Sequence, residues 1–103
     1  MKKSVLEAPF NEKSFSMHHL FKSDSEKVFV VSLKPNQTLP SHKHPEHNLY
    51  VLGYEGEAEF VINGVTHSCK QGDVFYLEPD DEFGIENNSD GNFRVYCVMS
   101  KRS

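Results

Sequence analysis

Ala58-Glu59-Phe60-Val61-Ile62-Asn63-Gly64-Val65-Thr66-His67-Ser68-Cys69 is the stretch that decides the fold class of this chain. Ala58, Phe60 and Ile62 alternate with Glu59 and Val61, the two-residue period of a strand with one buried face. Asn63-Gly64 follows at once. Both residues tolerate the positive φ of a tight primed turn, so residues 65–69 are expected to pair back antiparallel.

The same grammar repeats outward from this hairpin. Strands are expected over residues 27–33, 39–44, 48–54, 74–77, 83–86 and 92–99. Turns separate them at Lys34-Pro35-Asn36-Gln37, Glu55-Gly56, Lys70-Gln71-Gly72-Asp73 and Asn87-Asn88-Ser89-Asp90-Gly91. The N-terminal third is mixed and polar, with Phe10, Phe15, Met17, Leu20 and Phe21 scattered through it. One or two short strands lying over the core are expected there. No segment carries the period of a long amphipathic helix. Strands and turns recurring roughly every ten residues indicate an all-β sandwich or barrel. At 103 residues the chain is expected to form one domain, residues 1–103.

Charged residues make up 25% of the chain and hydrophobic ones 37%, a globular balance rather than a disordered one. A formal net charge of −4 argues against nucleic-acid and anionic-membrane partners, which need a basic footprint. Met1-Lys2-Lys3-Ser4-Val5-Leu6-Glu7 has no apolar run after its lysines and does not read as a secretion signal. Val28-Phe29-Val30-Val31 is far too short to span a bilayer. A cytoplasmic location is therefore expected. Cys69 and Cys97 alternate with apolar residues and are expected as buried thiols, not as a disulfide.

The chemistry concentrates in Pro40-Ser41-His42-Lys43-His44-Pro45-Glu46-His47-Asn48, which holds three of the six histidines. Alternate side chains of a strand share a face, so His42 and His44 are expected side by side. Two imidazoles on one face are half of a first-row transition-metal site.

These segments together resemble the cupin superfamily, specifically its small single-domain members. Their first motif is a glycine, five residues, His-x-His, three or four residues, a Glu or Gln, and later a Gly that closes a turn. Asn36 stands for the leading glycine, His42 and His44 match the pair, and Gly56 matches the closing turn. The second motif resembles Gly72-Asp73-Val74-Phe75-Tyr76-Leu77, followed by Pro79 and Asn87. The resemblance covers about residues 28–99. It implies a double-stranded β-helix, a jelly-roll-like barrel of two antiparallel sheets. Residues 28–100 would form the conserved barrel and residues 1–27 N-terminal strands that pack across a homodimer interface. It also implies a divalent transition metal (Zn, Ni, Fe or Mn) held by three histidines and a carboxylate.

Two departures weaken that metal site. The third histidine position reads Phe83, and a phenyl ring coordinates nothing. The carboxylate position falls on Asn48 with three-residue spacing and on Leu49 with four. The apolar run after Asn48 favours Asn48, with a bulge near Gly53; the ungapped distance to Gly56 favours Leu49. His47 replaces a lost ligand only if a bulge turns it inward, because alternation otherwise sets His47 and Asn48 on opposite faces. The expected metal ligands are His42, His44, His47 and Asn48, with weak or partial occupancy, and Tyr50 and Phe83 are expected to line the ligand pocket. His67 is read as satisfied or partly exposed. His18 and His19 are adjacent, so at most one faces a site. The acidic loop Glu78-Pro79-Asp80-Asp81-Glu82 lacks the spacing of a calcium loop and is read as solvated.

The function expected is a small cupin barrel that binds a divalent metal, a small organic ligand, or both. The alternative is a metal-dependent enzyme, dioxygenase- or isomerase-like, acting on a small organic acid or sugar. A ligand-sensing regulatory module is a third reading.

Overall fold

The structure, a computed structural model, describes residues 1–102. A single 3₁₀ turn at Val5–Glu7 precedes nine strands. They are β1 (Ser16–Lys22), β2 (Glu26–Leu33), β3 (Thr38–His42), β4 (His47–Glu55), β5 (Ala58–Ile62), β6 (Val65–Cys69), β7 (Val74–Leu77), β8 (Phe83–Glu86) and β9 (Phe93–Lys101). They form a five-stranded sheet in the order β1-β2-β9-β4-β7 and a four-stranded sheet in the order β3-β8-β5-β6, antiparallel throughout. This is the expected double-stranded β-helix.

The turn chemistry behaves as the sequence predicts. Asn63 (φ 51°) and Gly64 (φ 78°) close the β5–β6 hairpin, leaving Ile62 opposite Val65. Asn36 (φ 70°), Gly56 (φ 74°) and Gly72 (φ 98°) supply the left-handed corners of three other turns. Two boundaries differ by two residues. β9 continues to Lys101 because its end pairs with both β2 and β4. β3 stops at His42, before Pro45, which has no N–H to donate, and Glu46, which is left-handed (φ 68°).

Inward-facing residues fill the space between the sheets. Phe60 is fully buried, with the rings of Phe75, Phe83 and Phe93 centred 4.7, 5.0 and 6.0 Å away. Each fully buried phenyl contributes about 2–3 kcal/mol of transfer free energy. This aromatic packing makes the barrel interior a solid core. Asn87, also fully buried, donates from Nδ2 to the carbonyls of Leu33 (3.1 Å) and Gly91 (2.9 Å) and fixes the turn before β9. Cys69 and Cys97 are buried free thiols, as expected.

The outer face of the five-stranded sheet carries two apolar rows that run across β2, β9, β4 and β7. They are Val28–Val98–Tyr50–Tyr76 and Val30–Tyr96–Leu52–Val74. The N-terminal segment covers one end of them by seating Ala8 and Leu20 against Val30. Arg94 pins the segment down. Its guanidinium donates to the Ala8 carbonyl (2.6 Å), pairs with Glu55 (3.1 Å) and lies 4.2 Å from the Phe10 ring centre. Tyr54 Oη donates to the Val5 carbonyl (2.9 Å). Within the segment expected as a dimer arm, Ala8 and Leu20 are buried against the same barrel and β1 pairs with β2. No helix among the described residues is long and apolar enough to cross a membrane.

Candidate functional site

Three chain segments meet at one end of the barrel: the end of β3 with the turn after it, the start of β4, and the start of β8. β3 and β8 pair with an irregularity between Leu39 and His42, and His42 lies opposite Phe83. The bulge requires Gly84, where an added Cβ would stand 2.5 Å from Ser41 Oγ. His42 ends the strand and is exposed, while His44 lies two residues on and is half-buried. Their ring centres are 4.6 Å apart. The pair anticipated from strand alternation is present, although a turn rather than a strand delivers its second member.

The protonation of these rings follows from their partners. His42 Nδ1 lies 2.9 Å from the Pro40 carbonyl and His47 Nδ1 lies 2.8 Å from the Pro45 carbonyl. A carbonyl only accepts, so each Nδ1 carries the hydrogen and each neutral ring presents its Nε2 lone pair. Burial lowers the pKa of His44 to about 4, helped by the positive fields of His42, His47 and Lys27. His44 is therefore neutral at neutral pH.

β4 sorts the remaining candidates by face. His47 pairs with Lys101, Leu49 with Met99 and Leu77, and Val51 with Cys97 and Phe75. Leu49 and Val51 are buried, so His47 sits on the inward face beside the imidazole pair. Asn48 and Tyr50 are on the outward face, which corrects both expectations. Asn48 Oδ1 accepts from Tyr76 Oη (3.2 Å), and the 47%-exposed Tyr50 stacks obliquely on Tyr76 with ring centres 5.0 Å apart. The physical reason is register: pairing with β9 is regular from His47 to Gly53, and the irregularity comes only between Gly53 and Glu55. Of the two residues on which the carboxylate position can fall, buried Leu49 faces inward and Asn48 outward, with the irregularity near Gly53 where the Asn48 spacing expects a bulge. Phe83 is not an open pocket wall either. It is 2% exposed, packed edge-on against Phe60, and lies across the strand pair from His42.

Two neighbours of the site were missed by motif reading. His19, exposed on the edge strand β1, lies opposite Phe29 with its ring 5.5 Å from that phenyl, while His18 lines a different cleft with Lys2 and Lys3. The pKa of His19 is lowered by burial and then by Lys22, Lys27 and His18. Lys27 thus acts on both His19 and His44. Its position was readable, since it precedes Phe29, Val31 and Leu33 by even steps on the inward face of β2. His67 stays exposed at the sheet edge, with its ring 6.4 Å from Phe75.

The donor set is an imidazole pair with His47 beside it and no carboxylate. Among the described residues, no three His, Cys, Asp or Glu side chains converge into a metal-holding group. The residues present do not fit a centre of three histidines and one carboxylate, because Phe83 is buried hydrocarbon and neither Asn48 nor Leu49 supplies a carboxylate.

A family model, the cupin domain, matches residues 29–99, and the chain belongs to the cupin family. Solved structures agree on the fold. An uncharacterized conserved protein with a double-stranded beta-helix domain from Klebsiella pneumoniae superposes with a TM-score of 0.92 at 24% identity, covering 97% of this chain and 89% of that one. An RmlC-like cupin protein from Desulfovibrio desulfuricans gives 0.85 at 29% identity, covering 97% and 96%. A predicted oxalate decarboxylase from Thermotoga maritima gives 0.85 at 21% identity, covering 98% and 99%. A search of curated proteins finds no match.

Proposed function

We propose that this cupin is a binding barrel, not a catalyst. In this reading the mouth presents His42 and His44, with His47 beside them, to a small organic ligand, and the same pair takes a divalent transition metal weakly. The observation that carries it is the 4.6 Å approach of the His42 and His44 rings, with the buried Phe83 across the strand pair from His42. The free Nε2 atoms of His42 and His47 are the form in which imidazole serves first-row metals. The enzyme reading asks more of the donor set, since two protein ligands control a metal's geometry poorly. The likeness to a predicted oxalate decarboxylase, at 21% identity, speaks for the fold alone.

Nickel(II) titration and elemental analysis of untagged protein test the proposal. A metal held by so few ligands is lost when either goes, so His42→Ala and His44→Ala are each expected to abolish nickel uptake as fully as the double variant. His47→Ala is expected to reduce it only in part. Bound nickel raises Tm by mass action on the native state, and the variants should lose that shift too. No nickel uptake by the parent would overturn the metal part of the reading. Loss with His42→Ala but not with His44→Ala would overturn the pair.

A further inference from the structure

We propose that the cleft between the N-terminal segment and β1 binds the phosphoryl group of a small, soluble phosphate monoester. The cleft encloses about 260 Å³ and is lined by Lys2, Lys3, Ser4, Glu7, His18 and Leu20. It is separate from the barrel mouth. His18 stands opposite Val30, which packs with Ala8 and Leu20 on the outer face of the five-stranded sheet.

The charge in this recess is unbalanced. Two ammonium groups and an imidazole line it against a single carboxylate, Glu7, in a chain of formal net charge −4. Among the described residues the ion pairs are Lys34–Glu12, Arg94–Glu55 and Arg102–Glu78, so neither Lys2 nor Lys3 has a carboxylate partner. Lys3 instead holds its Nζ 5.5 Å from the centre of the Phe21 ring, a contact that suits a cation without neutralising it. Ser4 adds a donor. Its Oγ accepts the Leu6 N–H (3.1 Å), which leaves its own hydrogen to give.

This donor set selects a phosphoryl group over a carboxylate. A phosphate monoester brings about 1.5 to 2 negative charges and roughly three strong acceptor oxygens to one place. A carboxylate brings less of both. Lysine binds phosphate as a point charge, and two lysines with a hydroxyl and an imidazole match that demand. The wall is also set in advance. The Val5 carbonyl accepts from Tyr54 Oη (2.9 Å) and the Ala8 carbonyl from Arg94 (2.6 Å), so the segment that bears Lys2, Lys3 and Ser4 is tied to the barrel just beyond them. The volume falls below the roughly 300 Å³ at which pockets for drug-sized ligands begin. It suits a phosphate with a small organic group laid against Leu20, not a nucleic-acid strand.

Amide chemical-shift mapping by NMR, with inorganic phosphate and with glycerol 3-phosphate as probes, tests the proposal. Both probes are expected to shift residues 2–7 and 18–20 saturably. The double variant Lys2→Glu, Lys3→Glu should weaken binding by at least about tenfold. Lys13→Glu with Lys70→Glu makes the same change in net charge at exposed lysines that do not line the cleft, and should move it by less than about twofold. No shift with either probe would overturn the proposal. So would equal losses from the two double variants, because the anion would then follow net charge alone. Shifts confined to His42, His44 and His47 would overturn it as well, by placing the anion in the barrel mouth. Vesicles of phosphatidic acid separate a lipid headgroup from a free ester: co-sedimentation with them, without shifts from glycerol 3-phosphate, would overturn the choice of a soluble ligand.

Discussion

His42 and Phe83 are cross-strand partners of β3 and β8, so a phenyl ring stands directly opposite the first imidazole of the pair. The position that resembles the family's third histidine therefore lies across the strand pair from His42 and carries a phenyl ring. The hydrocarbon is used: Phe83 packs against Phe60 and closes the core at that end.

Phe83→His is accordingly expected to raise nickel retention after dialysis. An outer-sphere partner is worth about tenfold or more in metal affinity, and a direct third imidazole should exceed that. The same change should cost the metal-free protein about 2–3 kcal/mol, because a polar ring replaces a buried phenyl. Saturating nickel should recover part of the loss. Isothermal titration and thermal melts with and without nickel check both halves. A variant that holds no more nickel than the parent would mean that residue 83 cannot reach the His42 side of the site.

His44 predicts a pH dependence of stability. Its folded pKa of about 4 lies below the ordinary 6.5, so between those values the unfolded chain binds a proton that the folded ring refuses. The stability conferred by the neutral ring is full above about pH 6.5 and is lost as the pH falls toward 4. The ring is only half-buried, so solvent screening holds the effect to about 1 kcal/mol. Urea melts of metal-free protein at steps from pH 7.5 to 4 should show the decline, and His44→Gln should flatten it. An unchanged slope in that variant would assign the decline to other groups.

The fold was legible because its signals are local. Alternation in Ala58–Ile62, the Asn63-Gly64 corner and the left-handed Asn36, Gly56 and Gly72 each report on their own few residues. The site was legible in identity but not in orientation. Around Asn48-Leu49-Tyr50-Val51 a polar residue and a tyrosine flank a leucine, and each suits either face. Pairing with β9, some fifty residues on in sequence, sets the face, and no local pattern encodes that register. The N-terminal segment was obscure for the same reason: Arg94 holds Ala8 across 86 residues.

Gly56 and Gly64 separate conformational strain from collision. Both are left-handed, at φ +74° and +78°. A Cβ on Gly64 meets nothing within 4 Å, whereas one on Gly56 would collide with the Asn92 carbonyl oxygen, which is backbone and has little room to yield. Gly64→Ala should therefore cost only the left-handed penalty of about 1–2 kcal/mol for a residue with a side chain. Gly56→Ala should pay that plus the displacement of the β8–β9 connection, for at least about 3 kcal/mol, near the exceptional end for single substitutions. The displacement also reaches Phe93, whose Cα lies 3.5 Å from the new Cβ and whose ring packs on Phe60, so the core should loosen with the turn. Paired urea melts of the two variants give the comparison, and near-ultraviolet circular dichroism should change for Gly56→Ala alone. Equal losses would mean that the Asn92 backbone moves aside at no cost and that the close approach in this turn is not what requires glycine.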